Sequence, residues 1–257
     1  MEEEQTLRSY DFCISCVPAP TVRDFLMPGI FHYTKNVFTR YQLVMELLHA
    51  ELETMNKAEE ENPIIDPDWP ASLEIIAQET AEAYSEEVEP FILLINTLYS
   101  SPEVLEERFP QSTHKPRRTE APRRSESKES NPGPTASTMA ELLKISGSSL
   151  GAQINISPQV DELSRNYCCR IFGPISTAVY LLLKESGAER VELEVSRREG
   201  KTMVMVSSPT VLEQRTVYRY SCEKEETSNP LGSPRYPCSV LCHYRYTDGI
   251  GKLFLSP

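Results

Sequence analysis

Seven cysteines are the residues best able to do chemistry in this chain of 257 residues, and four of them come in close pairs. Cys13 and Cys16 are spaced C-x-x-C, and Cys238 and Cys242 are spaced C-x-x-x-C. Four thiolates so spaced can hold a tetrahedral zinc ion. Their flanks point elsewhere. Phe12-Cys13-Ile14-Ser15-Cys16-Val17 reads as a short buried strand, and Ser239-Val240-Leu241-Cys242 is also strand-like. Neither carries the glycine-bearing knuckle turn of a zinc site, so the thiols are expected to act as small core hydrophobes, with no metal or other cofactor. The odd cysteine count fits reduced thiols rather than a disulfide framework. The start, Met1-Glu2-Glu3-Glu4, lacks the basic and apolar regions of a secretion signal, so an intracellular, soluble protein is expected.

Other catalytic patterns are thin. The four histidines, His32, His49, His114 and His243, are scattered. A Cys–His nucleophile pair, Cys242 or Cys168 with His49, stays open as an alternative. The sequence contains no G-x-S-x-G, no glycine-rich phosphate loop and no H-E-x-x-H. With 10 glycines in the whole chain, a phosphate cradle would be hard to build. The expectation is a protein that is not an enzyme. A net charge of -12 argues against nucleic acid as a partner, because a phosphate binder needs a basic stripe. No apolar run approaches ~18 residues, so no membrane-spanning helix is expected.

The elements that must position any site are legible from periodicity. Val22, Phe25 and Leu26 begin one apolar helical face, with a kink or end expected at Pro28-Gly29. Tyr41, Val44, Met45, Leu48, Leu52 and Met55 recur with helical spacing. After a breaker-rich connection at 62–70, Ser72 is placed to cap a second helix that carries Leu73, Ile76, Thr80, Tyr84 and Val88 on one side and glutamates on the other. Pro90 is expected to stop it. Phe91-Ile92-Leu93-Leu94-Ile95 then has the length of a buried strand, and Val104-Leu105-Glu106-Glu107-Arg108-Phe109 that of a returning one.

Residues 111–137 hold six basic residues, three acidic ones and almost no apolar side chains, which predicts a disordered basic linker or loop. Residues 1–110 and 138–257 would then be two halves of a single domain. Beyond the linker, Val160, Leu163, Tyr167 and Ile171 predict a helix interrupted at Gly173-Pro174 and resuming through 178–183. Val191-Glu192-Leu193-Glu194-Val195 and Lys201-Thr202-Met203-Val204-Met205-Val206 predict a hairpin. Further strands are expected at 217–220, 240–246 and 252–255. The fold class is α+β: helices packed on a mainly antiparallel sheet, with a C-terminal β-meander.

Several segments resemble the HORMA family. Val88-Glu89-Pro90-Phe91-Ile92-Leu93-Leu94-Ile95-Asn96 with Ser100-Ser101-Pro102-Glu103-Val104-Leu105 is similar to a family segment of helix, strand, turn and strand. Tyr10-Asp11-Phe12-Cys13-Ile14-Ser15-Cys16 resembles the strand before the first helix, and Ser164-Arg165-Asn166-Tyr167-Cys168-Cys169-Arg170-Ile171-Phe172 the central helix. The resemblance implies a HORMA-like domain that binds the closed conformer of a Mad-two-type HORMA protein. It would present that conformer to a hexameric AAA+ ATPase and so silence the mitotic spindle checkpoint. Nucleus and cytoplasm follow as the location, with kinetochore or spindle in mitosis. An alternative within the same fold is a HORMA partner subunit in autophagy initiation. On this resemblance Phe172 is the apolar anchor of the partner interface, or else a core residue. Arg165 and Arg170 are polar-rim candidates, and Tyr33 and Thr34 fall where the family makes a polar contact.

Overall fold

Period-2 alternation along the strands builds a six-stranded sheet that is apolar on one face and polar on the other. The structure, a computed structural model, describes residues 8–61, 69–109, 133–198, 201–221 and 239–256. In chain order the elements are β1 (Arg8–Ser15), α1 (Pro20–Glu61), α2 (Trp69–Ala83), α3 (Glu89–Tyr99), α4 (Pro102–Arg108), α5 (Gly133–Ser148), β2 (Gln153–Ile156), α6 (Arg165–Tyr180), β3 (Arg190–Arg198), β4 (Lys201–Ser208), α7 (Gln214–Val217), β5 (Ser239–Thr247) and β6 (Ile250–Ser256). A π-helical turn, Tyr84–Val88, joins α2 to α3, and a second, Leu181–Glu185, follows α6.

The sheet order is β1-β5-β6-β4-β3-β2. Every pairing is antiparallel except that of β2 with β3, which is parallel across the α6 connection. The fold is therefore α+β with a mixed sheet. The C-terminal strands depart from a simple meander, because β6 inserts between β4 and β5. Asp248 and Gly249, both at positive φ, turn β5 into β6, the backbone that a two-residue hairpin demands. Phe12, Cys242, Leu255, Val204 and Val195 form one cross-strand row on the inner face. That face packs on the helices.

Four segments differ from the sequence expectation, each for a local physical reason. Phe91 to Ile95 is helical, within α3. Pro90 closely follows the π-helical turn that joins α2 to α3, and Pro90, Leu94, Thr97 and Leu98 are the buried positions, which is helical spacing. Residues 104–108 are helix α4 rather than a strand, since Ser101 caps the N-terminus through its hydroxyl and Pro102 opens the first turn. The stretch 217–220 holds the end of one helical turn, α7, followed by a turn. Residues 133–137, expected in the linker, begin α5, and Thr135 and Ala136 are buried there. The rest of the linker lies outside the described residues.

Two helices run through residues that should break them. Pro28 lies inside α1 and Pro174 inside α6. An interior proline costs about 3 kcal/mol, and packing offsets it at both places. Beside Pro28, Gly29 lets α1 approach α5 so closely that a Cβ would fall 2.5 Å from the Leu142 carbonyl oxygen. Beside Pro174, a Cβ on Gly173 would fall 2.0 Å from the Cys16 carbonyl oxygen. The core joins both halves of the chain, from Phe12, Leu26 and Leu94 to Leu143, Phe172 and Leu255. Among the described residues no helix is long and apolar enough to cross a membrane.

Candidate partner-binding surface

The five residues marked by sequence do not form one surface. Phe172 has no exposed area and belongs to the core, as do all side chains from Cys168 to Val179 along α6. This corrects the anchor reading in favour of the core alternative: α6 lies between the sheet and helices α1, α3 and α5. Arg170 is also buried and donates from Nη1 to the Phe109 carbonyl at 2.8 Å, so it holds the end of α4 and is not a rim charge.

Tyr33 and Arg165 meet the same segment from two sides. The Tyr33 ring stacks on Phe91 at 4.8 Å, and its hydroxyl lies 3.3 Å from the Thr138 hydroxyl and donates to the Glu87 carbonyl at 3.4 Å. Burial, with Glu87 and Glu141 nearby, pushes the Tyr33 phenol above its ordinary value. Arg165 donates to the Glu89 carboxylate at 2.6 Å. Arg40 pairs with Glu87 beside it. Both residues thus brace the junction of the π-helical turn with α3. Such turns are where a helix changes the direction of its side chains.

Thr34 is half-buried, as Arg165 is, and stands apart from the other four on α1. Its hydroxyl donates to the Ile30 carbonyl at 2.7 Å, within α1, and it stands three residues after Phe31 and four before Phe38. Those two phenylalanines are 73% and 69% exposed. Met27 and Met45, also exposed, continue the line in steps of four and seven residues, which places all four on one side of α1. The buried side of the same helix carries Val22, Leu26, Tyr33 and, half-buried, Val37 and Val44. One side of the helix is thus packed on the protein, while exposed apolar residues stand on the Phe31–Phe38 side and, at Leu43 and Leu47, elsewhere on its surface. The expected stripe through Tyr41, Val44, Met45 and Leu48 thus mixes half-buried and exposed positions; the sequence signal for the open side is Phe31 and Phe38, two large apolar residues a heptad apart and off the packed face.

Of the five described cysteines, Cys16, Cys168, Cys169 and Cys242 are buried as expected, and Cys13 is half-buried. Cys168 and Cys169 are buried in α6, and burial pushes each thiol up to about 12, the opposite of an activated nucleophile. His49 is exposed on α1 beside Glu53, while Cys168 and Cys242 have no exposed surface, so neither thiol meets it in the open. Cys242 stands opposite Phe12 on the inner face of the sheet and Cys13 lies on the outer face, so the two thiols point apart. Cys238 lies outside the described residues. Among the described residues no group of three His, Cys, Asp or Glu side chains is placed to hold a metal ion.

The outer face of the sheet holds a polar cluster for which the sequence raised no expectation: Ser9, Asp11 and His243. The signal for it was slight, a serine and an aspartate two residues apart on one strand. No protein-family model matches the chain, and no curated protein matches it.

Proposed function

We propose that this chain is a non-enzymatic, HORMA-type adaptor of the comet kind, binding the closed conformer of a Mad-two-type protein and presenting it to an AAA+ remodelling ATPase. The reading rests on the sequence resemblance, and one structural observation supports its binding half: the open stripe of Met27, Phe31, Phe38 and Met45 around Thr34. An exposed apolar line of this kind marks a docking surface, and large side chains on a rigid helix supply contact area at small entropic cost. In this account the partner contact lies on α1, not on the buried α6.

The test uses the full chain, purified, and a closed, peptide-bound Mad-two-type protein on a sizing column and in a calorimeter. A complex is expected, and Phe31→Ala with Phe38→Ala should weaken it by roughly 2 kcal/mol or more without changing the melting temperature. No complex at micromolar concentrations overturns the reading. Co-purification from mitotic rather than starved cells separates it from the autophagy alternative.

A further inference from the structure

We propose that Ser9 is a nucleophile, activated by His243 and Asp11, that accepts an acyl group from small activated esters. This inference rests on residues outside the α1 stripe, and it stands against the non-enzymatic part of the adaptor reading. The Asp11 carboxylate lies 2.6 Å from His243 Nδ1, and the Ser9 hydroxyl lies 3.3 Å from His243 Nε2. With Nδ1–H donated to Asp11, the lone pair of Nε2 faces Ser9. That is the order of contacts by which a base, oriented by a carboxylate, removes a serine proton.

The sheet holds the three groups in place. Ser9 and Asp11 are two residues apart on β1 and so share its outer face. His243 stands directly across from Asp11 on β5, and its ring centroid lies 6.1 Å from that of Phe254 on the next strand. Arg245 is directly opposite Ser9, and Lys252 continues the same row on β6. Two cations in the row of the nucleophile favour the negative charge that develops on an attacked carbonyl.

In the reaction Ser9 Oγ forms a bond to the acyl carbon and its proton passes to His243 Nε2. The imidazolium returns that proton to the leaving alkoxide as the ester bond breaks. Water then attacks acyl-Ser9, with Nε2 again taking the proton, and the carboxylic acid and free hydroxyl result. The site is open to solvent, where charge stabilisation is weak, so the gain is mainly the general-base share, on the order of 10²–10⁴-fold. The expected signature is stoichiometric acylation followed by slow turnover.

The experiment mixes the full chain with p-nitrophenyl acetate, follows nitrophenolate, and locates acetyl groups by peptide mass spectrometry. One acetyl per chain on Ser9 is expected in a burst. His243→Gln should slow Ser9 acetylation by roughly 100-fold or more, and Asp11→Asn by roughly 10-fold or more. Labelling of Ser9 in the unaltered chain by a fluorophosphonate, which phosphonylates the hydroxyl and releases fluoride, gives a readout that needs no variant. Acetyl groups confined to lysines or Tyr10, an unlabelled Ser9, or Ser9 acetylation as fast in a folded His243→Gln protein as in the parent would each overturn the proposal.

Discussion

Helices α6 and α1 both carry runs of apolar residues, and they use them in opposite ways. From 168 to 179, α6 has every side chain buried, with the sheet on one side and α1, α3 and α5 on the other. Helix α1 buries one side and leaves Phe31 and Phe38 open. A helix between two layers must be apolar all round, whereas a helix on the outside needs only one packed stripe. A second apolar stripe on an outside helix therefore has no job in the free chain's core. The comparison leaves exposed apolar side chains on α1 and none between 168 and 179 on α6.

The strongest way to break the comparison is to truncate the same residue type on both helices. Phe172→Ala removes a fully buried ring and should cost about 3–5 kcal/mol of stability, through lost transfer energy and the cavity left behind. Phe38→Ala should stay within about 0.5 kcal/mol, as exposed positions do. Denaturant titration of both variants measures the difference. Equal costs would mean that α1 is covered, or that α6 is not central.

Proton linkage sharpens the contrast at α6. The folded state holds the Cys168 and Cys169 thiols up to about 12, against an ordinary value of 9.0. Their protonated forms are thus favoured by folding. That stability is fully present below pH 9 and is lost as pH rises towards 12, because the unfolded chain ionises first. Stability measured against pH should fall over this window, and less steeply in a Cys168→Ala, Cys169→Ala protein. Native thiol titration at pH 8 should find both unreactive until the chain unfolds.

A close approach supplies the next test. A Cβ on Gly173 would meet the Cys16 carbonyl, so Gly173→Ala must push β1's exit from α6 and should cost roughly 1–3 kcal/mol. A melting temperature unchanged by that substitution would show slack where the structure has contact.

How much of this was legible follows from what decides each element. The strands at β1, β3, β4, β5 and β6 were legible because alternation is a local property and one face of each is buried. The apolar run 91–95 was not, because a short continuous run fits a buried strand or a buried helix equally, and only the full length of α3, continuous with the turn before it, decides. The Gly173-Pro174 step read as a break because the close packing that holds it straight comes from Cys16, far away in the chain. The site shows the same limit. Thr34 was found on a surface by resemblance, but whether Phe172 or Phe31 faces solvent depends on what covers α6. That cover includes α5, whose first residues looked too polar to fold.

The smallest effect concerns the two arginines first read as a rim pair. Arg165 bonds Glu89 with both side chains partly open to water, 30% and 44% exposed. Such a pair gains little in high dielectric and gives up side-chain freedom, so Arg165→Ala should cost under about 1 kcal/mol. The loss should shrink further at about 1 M salt, where screening acts over ~3 Å. Glu89→Gln should give the same small, salt-sensitive change, and the double variant should add almost nothing to either single one. Chemical denaturation of the four proteins at low and high salt measures this cycle. A salt-independent cost well above 1 kcal/mol would show that the Arg165–Glu89 contact anchors the turn between α2 and α3 in the way buried contacts do, and it would move Arg165 from the open side of the comparison to the packed side, beside Arg170.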